Sequence, residues 1–153
     1  MPSAIETRLK FGAQSEKLVA EWYAAKAWNI TWPKTKDSWD LTISNKLATT
    51  RIKVTRDLSM ASTGYHSILF ERNQEPAGIA LTDIDIWCVV DLSATAYSFE
   101  INKLRSYIKR LQPVKTFQMH RGIAHSIKFD KMCTDLKPME FSLKPQKVGR
   151  YEF

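Results

Sequence analysis

The sequence predicts an α/β fold of the α+β kind, with a central mixed sheet flanked by helices. The chain reads as a long helix, several short strands and a second helix, with little strand–helix–strand alternation in between. This order is typical of helices packed around one central sheet. With 153 residues, of which 44% are hydrophobic, the chain is long enough for one packed core. We therefore predict a single domain over residues 1–136, followed by a basic tail over residues 137–153.

The first predicted element is a long helix over residues 10–28. Apolar residues recur there at helical intervals, and several alanines supply high helix propensity. Glu16 lies on the flank of the apolar stripe, so its side chain points sideways. Two interpretations stay open for it: a carboxylate that faces a cleft, or a solvated glutamate on the helix surface.

The second predicted feature is a hairpin formed by residues 38–43 and 50–54. Apolar and polar side chains alternate in both strands, so the polar ones share one face of the sheet. Asp40 lies on this face in the first strand, and Arg51 and Lys53 lie on it in the second. If Asp40 pairs directly with Arg51, Lys53 lies diagonally across from Asp40 at about 7–8 Å. A loop longer by one step would place Lys53 directly opposite Asp40 and leave Arg51 on the diagonal. In either register the three side chains converge.

The rest of the chain supplies further strands and one more helix. Residues 56–65 are polar and contain a glycine, which predicts a loop. After it we predict strands over 67–71, 83–90 and 96–101, a helix over 102–111 that Pro113 ends, and strands over 116–119 and 124–129. The segment 67–71 is expected to be the third strand of the central sheet.

Asp40 and Lys53 belong to a longer series of short motifs that continues through Ser62-Thr63-Gly64, Glu71 and residues 76–87. In order and spacing, from roughly residue 10 to residue 111, the series resembles the PD-(D/E)XK nuclease superfamily. In that family an aspartate ends one strand, and an acid-x-Lys triplet lies on the next. Within it the chain is similar to small endonucleases and resolvases of phages and mobile elements, homing endonucleases among them. The resemblance implies a restriction-endonuclease-like fold and metal-dependent hydrolysis of DNA.

The resemblance also implies roles for the converging residues. Asp40 would be the main ligand of Mg²⁺, or of Mn²⁺ in its place, with the carbonyl oxygen of Ile52 as a further ligand. Magnesium accepts such a sparse site because it retains waters and takes substrate phosphate. Lys53 would face the attacked phosphate, where its ammonium stabilises developing negative charge. Glu16 matches an accessory active-site glutamate that recurs in the first helix of such families.

Arg51 departs from the family pattern, because it stands where the pattern has an acid. A guanidinium there adds repulsion instead of a second carboxylate, so metal affinity should fall. Three interpretations follow: a degenerate site that binds nucleic acid without cutting, an altered site in which Arg51 grips a phosphate, or a relocated acid. Glu71 is the strongest candidate for that acid, since it follows Ile68 and Phe70 in opposite phase and should face the cleft of Asp40. A plain surface glutamate is the alternative.

The charge of the chain favours a polyanionic partner. Lysine and arginine number 23 against 16 acidic residues, which gives a net charge of +7, and DNA is the natural partner for such a surface. Phosphate contacts are predicted for Lys34, Lys36 and Arg56 in loops beside the site, and for Lys103, Arg105 and Lys109 on the second helix. A solvated helix face is the alternative for the residues of the second helix. A domain this small reads few base pairs alone, so we expect a homo-oligomer, either a dimer or a tetramer.

Other features narrow the function classes. The two cysteines lack metal-site spacing, no glycine-rich phosphate loop occurs, and no run approaches about 18 apolar residues. We therefore expect no membrane partner and a reduced, cytoplasmic location, which is the host cytoplasm if the protein is phage-encoded. The leading hypothesis is a Mg²⁺-dependent DNA endonuclease. The alternatives are a degenerate nuclease fold that binds nucleic acid or a host protein, and a junction-resolving enzyme.

Overall fold

The computed structural model describes residues 4–34, 39–81, 83–111, 115–119 and 122–143. These residues contain two sheets with ten strands in all, and several helices. The strands are β1 Asn29–Thr31, β2 Leu41–Ser44, β3 Thr49–Thr55, β4 Tyr65–Arg72, β5 Glu75–Pro76, β6 Ile86–Val90, β7 Thr95–Glu100, β8 Thr116–Met119, β9 Gly122–Lys128 and β10 Met139–Ser142. The helices are α1 Ala4–Ala25, α2 Met60–Thr63, α3 Ile101–Arg110 and α4 Phe129–Leu136, with a 3-10 turn at Gly78–Ala80. None of the helices in these ranges is long and apolar enough to cross a membrane.

The larger sheet is mixed and contains the predicted hairpin. Its strand order is β1-β2-β3-β6-β7-β10, in which β3 and β6 run parallel and the other neighbours run antiparallel. Helix α1 packs on one face, and α3 and α4 pack on the other. The predicted fold class, a central mixed sheet flanked by helices, is therefore confirmed.

The register of the hairpin selects one of the two pairings that the sequence left open. Leu41 pairs with Ile52. Asp40 precedes Leu41 and Lys53 follows Ile52, so the two charged residues lie across from each other at the end of the hairpin. Arg51 is left on the diagonal.

The two faces of the larger sheet are buried under different layers. On one face α1 packs through Val19 and Tyr23 against the inward side chains of the hairpin and of β6. On the other face Trp87 is buried together with side chains of α3, α4 and the second sheet. Lys53 pairs in parallel register with Trp87 and therefore belongs to this second face, because side chains alternate along a strand.

The segment predicted as the third strand of the central sheet lies instead in a second, antiparallel sheet. Strand β4 has β5 and β9 as its neighbours there, in the order β5-β4-β9-β8. The strand itself was predicted, but its place in the sheet was wrong. A hydrophobic pattern identifies a strand without specifying its partner.

A bulge at Phe70 also changes the face on which Glu71 lies. Ile68 pairs with His125 and Glu71 pairs with Ile123, with one extra residue in β4 between the two pairs. His125 and Ile123 are two residues apart in β9 and share a face of the sheet. Glu71 therefore lies on the same face as Ile68, and its predicted opposite phase is wrong.

Three further segments differ from the sequence prediction. The predicted loop over 56–65 contains α2, which ends at Gly64 in the left-handed conformation with a φ of 76°. Helix α4 follows the strand predicted over 124–129 and was not predicted. The expected tail begins with β10, which pairs with β7 at the edge of the larger sheet. Residues from 144 onward and Pro113 lie outside the described residues.

Candidate active site

Asp40 is fixed at the start of β2 by hydrogen bonds to the main chain of β3. Its N–H donates to the carbonyl oxygen of Ile52 at 2.9 Å, and its Oδ2 accepts the N–H of Val54 at 2.7 Å. The other carboxylate oxygen, Oδ1, lies 3.4 Å from Nζ of Lys53. Because 15% of the Asp40 side chain and 32% of the Lys53 side chain are exposed, the pair is held in place and still accessible to a ligand.

Glu16 joins this pair from α1. It is half-buried and follows Ser15, which is fully buried and accepts a hydrogen bond from Nη1 of Arg56 at 3.4 Å. The pKa of Glu16 is raised from 4.5 to about 7, first by burial and then by the charge of Asp40 and a hydrogen bond between the two carboxyl groups; the Lys53 ammonium opposes this rise. Two carboxyl groups and one ammonium group thus share a small site, whose negative charges repel each other unless a proton or a cation is bound.

Arg51 is stacked on an aromatic ring at the edge of this site. Its guanidinium lies over the indole of Trp39, with 4.7 Å between Cζ and the ring centroid. Its main-chain N–H donates to Oδ2 of Asp85 at 2.8 Å, and the residue is exposed. Position 51, where the pattern of the resembled family has an acid, therefore carries a cation that stacks on Trp39.

Glu71 is not brought into this site. It lines a pocket of the second sheet together with Asn73, Gln74, Gln118, Gly122 and Ile123. Both premises for placing it beside Asp40, a shared sheet and an opposite phase, are wrong. The carbonyl oxygen of Ile52, by contrast, does lie at the site, where it accepts the Asp40 N–H and keeps a second lone pair.

The predicted phosphate contacts on lysines differ in their surroundings. Lys34 and Lys109 are exposed, so their phosphate contacts stay a prediction that their position allows. Lys103 pairs with Glu100 at 3.6 Å, and both side chains are largely exposed, so this pair is weak. Lys36 lies outside the described residues.

Arg105 is half-buried, and its guanidinium forms hydrogen bonds within the fold. Its Nε donates to the carbonyl oxygen of Ile79 at 2.9 Å, one terminal nitrogen donates to the carbonyl oxygen of Leu81, and the other donates to Oδ1 of Asn102 at 3.3 Å. These bonds tie α3 to the 3-10 turn. Arg105 therefore has a structural role, and the phosphate contact predicted for it stays a prediction.

A buried polar network that the sequence did not reveal joins the two sheets. Nε1 of Trp87 donates to Nε2 of His66 at 3.2 Å, and Nδ1 of His66 lies 3.4 Å from Oδ2 of Asp57. Since Nε2 accepts, the proton of neutral His66 is assigned to Nδ1, which faces Asp57. Burial alone would raise the pKa of Asp57, but the neighbouring His66 imidazole and hydrogen bonds from Ser67 and Ser59 outweigh it and hold this pKa well below its usual range. Apolar and polar residues alternate in β4, and the alternation places His66 on the apolar side. The burial of His66 could have been predicted from this pattern.

The donor set at the site fits a divalent cation of the magnesium type. Asp40 and Glu16 supply two hard carboxylate oxygens close enough to share a proton. Mg²⁺ is held by one or two carboxylates together with waters and phosphate. Among the side chains that the structure describes, no cluster of three or more histidines, cysteines, aspartates or glutamates is arranged to hold a metal. Asp40 and Glu16 are therefore the described residues that could hold such an ion.

Comparison with known proteins shows a likeness of fold. Among solved structures, the chain is similar to the bacterial homing endonuclease I-Ssp6803I, with a TM-score of 0.53 and 15% sequence identity, over 69% of this chain and 74% of that chain. No protein-family model matches the sequence, and no curated protein is similar to it. At this identity the likeness shows that the two proteins share a fold, in which helices flank a central mixed sheet.

Proposed function

We propose that the protein is a metal-dependent DNA endonuclease of the PD-(D/E)XK superfamily, of the phage or mobile-element type. The observation that carries the proposal is the convergence of Asp40, Glu16 and Lys53 at the end of the hairpin. The Asp40 carboxylate is fixed by a main-chain N–H and lies 3.4 Å from the Lys53 ammonium, and Glu16 shares a hydrogen bond with it. The likeness of fold to a homing endonuclease supports the proposal independently.

The carboxyl groups of Asp40 and Glu16 would hold Mg²⁺, or Mn²⁺ in its place, and the carbonyl oxygen of Ile52 would be a further ligand. When bound, such an ion neutralises charge on the phosphate and makes a water a better nucleophile. Protonation of Glu16 and cation binding compete, so affinity for the cation should rise with pH through about 7. Glu16 in this arrangement supplies the carboxylate that is missing at position 51.

The two cations of the site act on the phosphate. Lys53 is oriented by Asp40 and stabilises the negative charge that develops on the phosphate oxygens in the transition state. Arg51 is exposed and stacked on Trp39, and it binds a neighbouring phosphate. A guanidinium suits this role because its N–H groups can donate two parallel hydrogen bonds to phosphate oxygens. In this proposal Arg51 belongs to an altered, active site and does not indicate a catalytically degenerate one.

DNA is the proposed substrate. The net charge of +7 favours it, and Lys34 and Lys109 are exposed for phosphate contacts. Cutting both strands requires two active sites, which a symmetric dimer or tetramer would place on opposite strands. The homo-oligomer is therefore part of the proposal.

A second candidate function is binding of nucleic acid, or of a host protein, without cutting. The observation that favours it is the cation at position 51, together with the lack of a three-residue metal cluster in the described part of the chain. In this alternative Asp40 and Lys53 form a structural ion pair, and the basic surface alone carries the function.

Cleavage assays separate the two candidates. Supercoiled plasmid and branched DNA are incubated with Mg²⁺ or Mn²⁺ and the wild-type protein or its Asp40→Ala, Lys53→Ala and Arg51→Glu variants. Lys46→Ala, in the exposed turn of the hairpin, is the matched control. We expect cutting by the wild type and the control, and a loss of at least about 100-fold in Asp40→Ala and Lys53→Ala.

The other outcomes are equally informative. Wild-type activity in Asp40→Ala would refute the proposed site. An inert wild type whose Arg51→Glu variant cuts would establish the degenerate alternative. Cutting confined to branched DNA would identify a junction-resolving enzyme with the same site.

A further inference from the structure

A cavity of about 340 Å³ lies at the seam between the two sheets, directly after the strand that carries Lys53. We call it the seam cavity, and its walls include Thr55, Arg56, Asp57, Ser59, Ser67 and Phe117. Thr55 is two residues beyond Lys53, so the cavity adjoins the proposed active site. The proposed hydrolysis uses none of these wall residues.

One wall of the seam cavity is an exposed aromatic ring. Phe117 lies on the edge strand β8, and 36% of it is exposed. A phenyl ring on the wall of this cavity offers a face on which a flat, heteroaromatic group can stack. Stacking of this kind accepts any nucleobase, because every base has a π-face.

The remaining walls offer acceptors and a cation. The Thr55 hydroxyl donates to the carbonyl oxygen of Cys88 at 3.4 Å, and the Ser59 hydroxyl donates to Oδ1 of Asp57 at 2.8 Å. Because the hydroxyl protons are used in these bonds, the lone pairs of both oxygens remain for N–H groups of a ligand. Arg56 adds a guanidinium, which binds phosphate well. A ring face, acceptors for N–H groups and a cation are together the complement of a nucleotide.

The floor of the cavity is held in shape by Asp57. Its carboxylate accepts the N–H of Ser59 at 3.1 Å and the N–H of Ser67 at 2.8 Å, and it faces Nδ1 of His66 at 3.4 Å. His66 in turn accepts the indole N–H of Trp87. These bonds connect the loop after β3 to both sheets. The cavity is therefore preorganised, which lowers the cost of ordering a ligand in it.

We infer that the seam cavity holds one unpaired nucleotide of the nucleic-acid strand, displaced from its stack. The base stacks on Phe117, its N–H groups donate to the hydroxyl oxygens of Thr55 and Ser59, and an adjoining phosphate pairs with Arg56. Arg56 contacts the residue before Glu16, so a phosphate held there leads the strand towards the catalytic carboxyl groups. This inference rests on the proposed function and specifies how that site positions its substrate.

The test compares binding to two short fluorescent duplexes, one fully paired and one with a single unpaired nucleotide, in EDTA so that no cutting occurs. The wild type should bind the second duplex roughly tenfold more tightly, because its base requires no unpairing. Phe117→Ala should lower this affinity by roughly 5- to 150-fold through the lost stacking. Phe117→Trp should keep the preference. Leu92→Ala, which removes another exposed apolar side chain outside the cavity, is the matched control.

Thermal unfolding and the affinity for the paired duplex report whether each variant is folded. Equal affinity of the wild type for the two duplexes would overturn the inference and leave the proposed endonuclease intact. An unchanged preference in Phe117→Ala would do the same. Failure of the wild type to bind either duplex at low salt would refute the proposed function, and the inference with it.

Discussion

Replacing Glu16 with glutamine should stabilise the protein at neutral pH in the absence of divalent cations. The pKa of Glu16 is raised from 4.5 to about 7 by burial and by the neighbouring Asp40 carboxylate. Between these two pH values the native state keeps a proton that the unfolded chain has lost. The stability of the wild type therefore falls as the pH rises through this window. Above it the native state retains two adjacent carboxylates.

The size of the effect follows from the same pKa. A rise from 4.5 to about 7 corresponds to about 3.4 kcal/mol at 1.36 kcal/mol per pKa unit. Glu16 is only half-buried, and solvent screening reduces the interaction to about 2 kcal/mol. Glutamine has nearly the shape of a protonated glutamate and does not ionise. The variant should match the wild type near pH 4 and exceed its free energy of unfolding by about 2 kcal/mol near pH 8.

Urea unfolding in EDTA at several pH values measures this difference. Glu21→Gln is the matched control, because Glu21 is exposed on the same helix. Addition of Mg²⁺ near pH 8 should stabilise the wild type by about 2.7 kcal/mol at about a hundredfold excess over its Kd, and should stabilise Glu16→Gln by less. Parallel pH profiles for the wild type and Glu16→Gln would refute the contact between Glu16 and Asp40.

Three further predictions concern the packing of the fold and the Arg51 stack beside the site. Arg105→Ala should lower the free energy of unfolding by about 2 kcal/mol, because three hydrogen bonds of a charged group are lost. Lys109→Ala is the control: it should leave urea unfolding unchanged and reduce the salt dependence of DNA binding. Equal stability of the two variants would contradict the structural role of Arg105. Gly78→Ala should cost at least about 2 kcal/mol in the same assay, because Gly78 has a φ of +50° and an added Cβ would overlap a carbonyl oxygen of β4. A double-mutant cycle with Trp39→Ala and Arg51→Ala should give a coupling of about 0.5–1 kcal/mol in urea unfolding, and zero coupling would show that the two side chains do not stack in solution.

The side-chain alternation of the hairpin predicted that Asp40 and Lys53 come together, which the 3.4 Å between Oδ1 and Nζ bears out. The alternation does not extend past Leu41, because Asp40 precedes β2 and Trp39 packs with the layer opposite to that of Leu41. A strand has only two faces, so a period of two assigns every residue to one of them. The register remained open, because loop length and pairing decide it together. The stacking of Arg51 on Trp39 could not be predicted from the sequence either, because alternation assigns a side chain to a face but does not give the direction in which a long side chain extends.

The failed predictions have a common physical cause in long-range pairing. Glu71 was assigned to the site from its local phase, but pairing with β9 and a bulge move it to another sheet and another face. Strand β10 was hidden in a polar, lysine-containing segment, and short edge strands often have this composition. Helical periodicity left Glu16 with two interpretations, and only the packing of α1 against the hairpin brings it to Asp40.

The most direct test of the site is single-turnover cleavage of supercoiled plasmid with Mg²⁺ by the Glu16→Gln and Glu71→Gln variants beside the wild type. Each variant exchanges one carboxylate for an amide of the same shape, so the two differ only in which acid is lost. Glu16→Gln should lose at least about 100-fold in rate, and Glu71→Gln should cut like the wild type. Loss of cutting in Glu71→Gln, with full activity in Glu16→Gln, would contradict a site built from Asp40, Glu16 and Lys53.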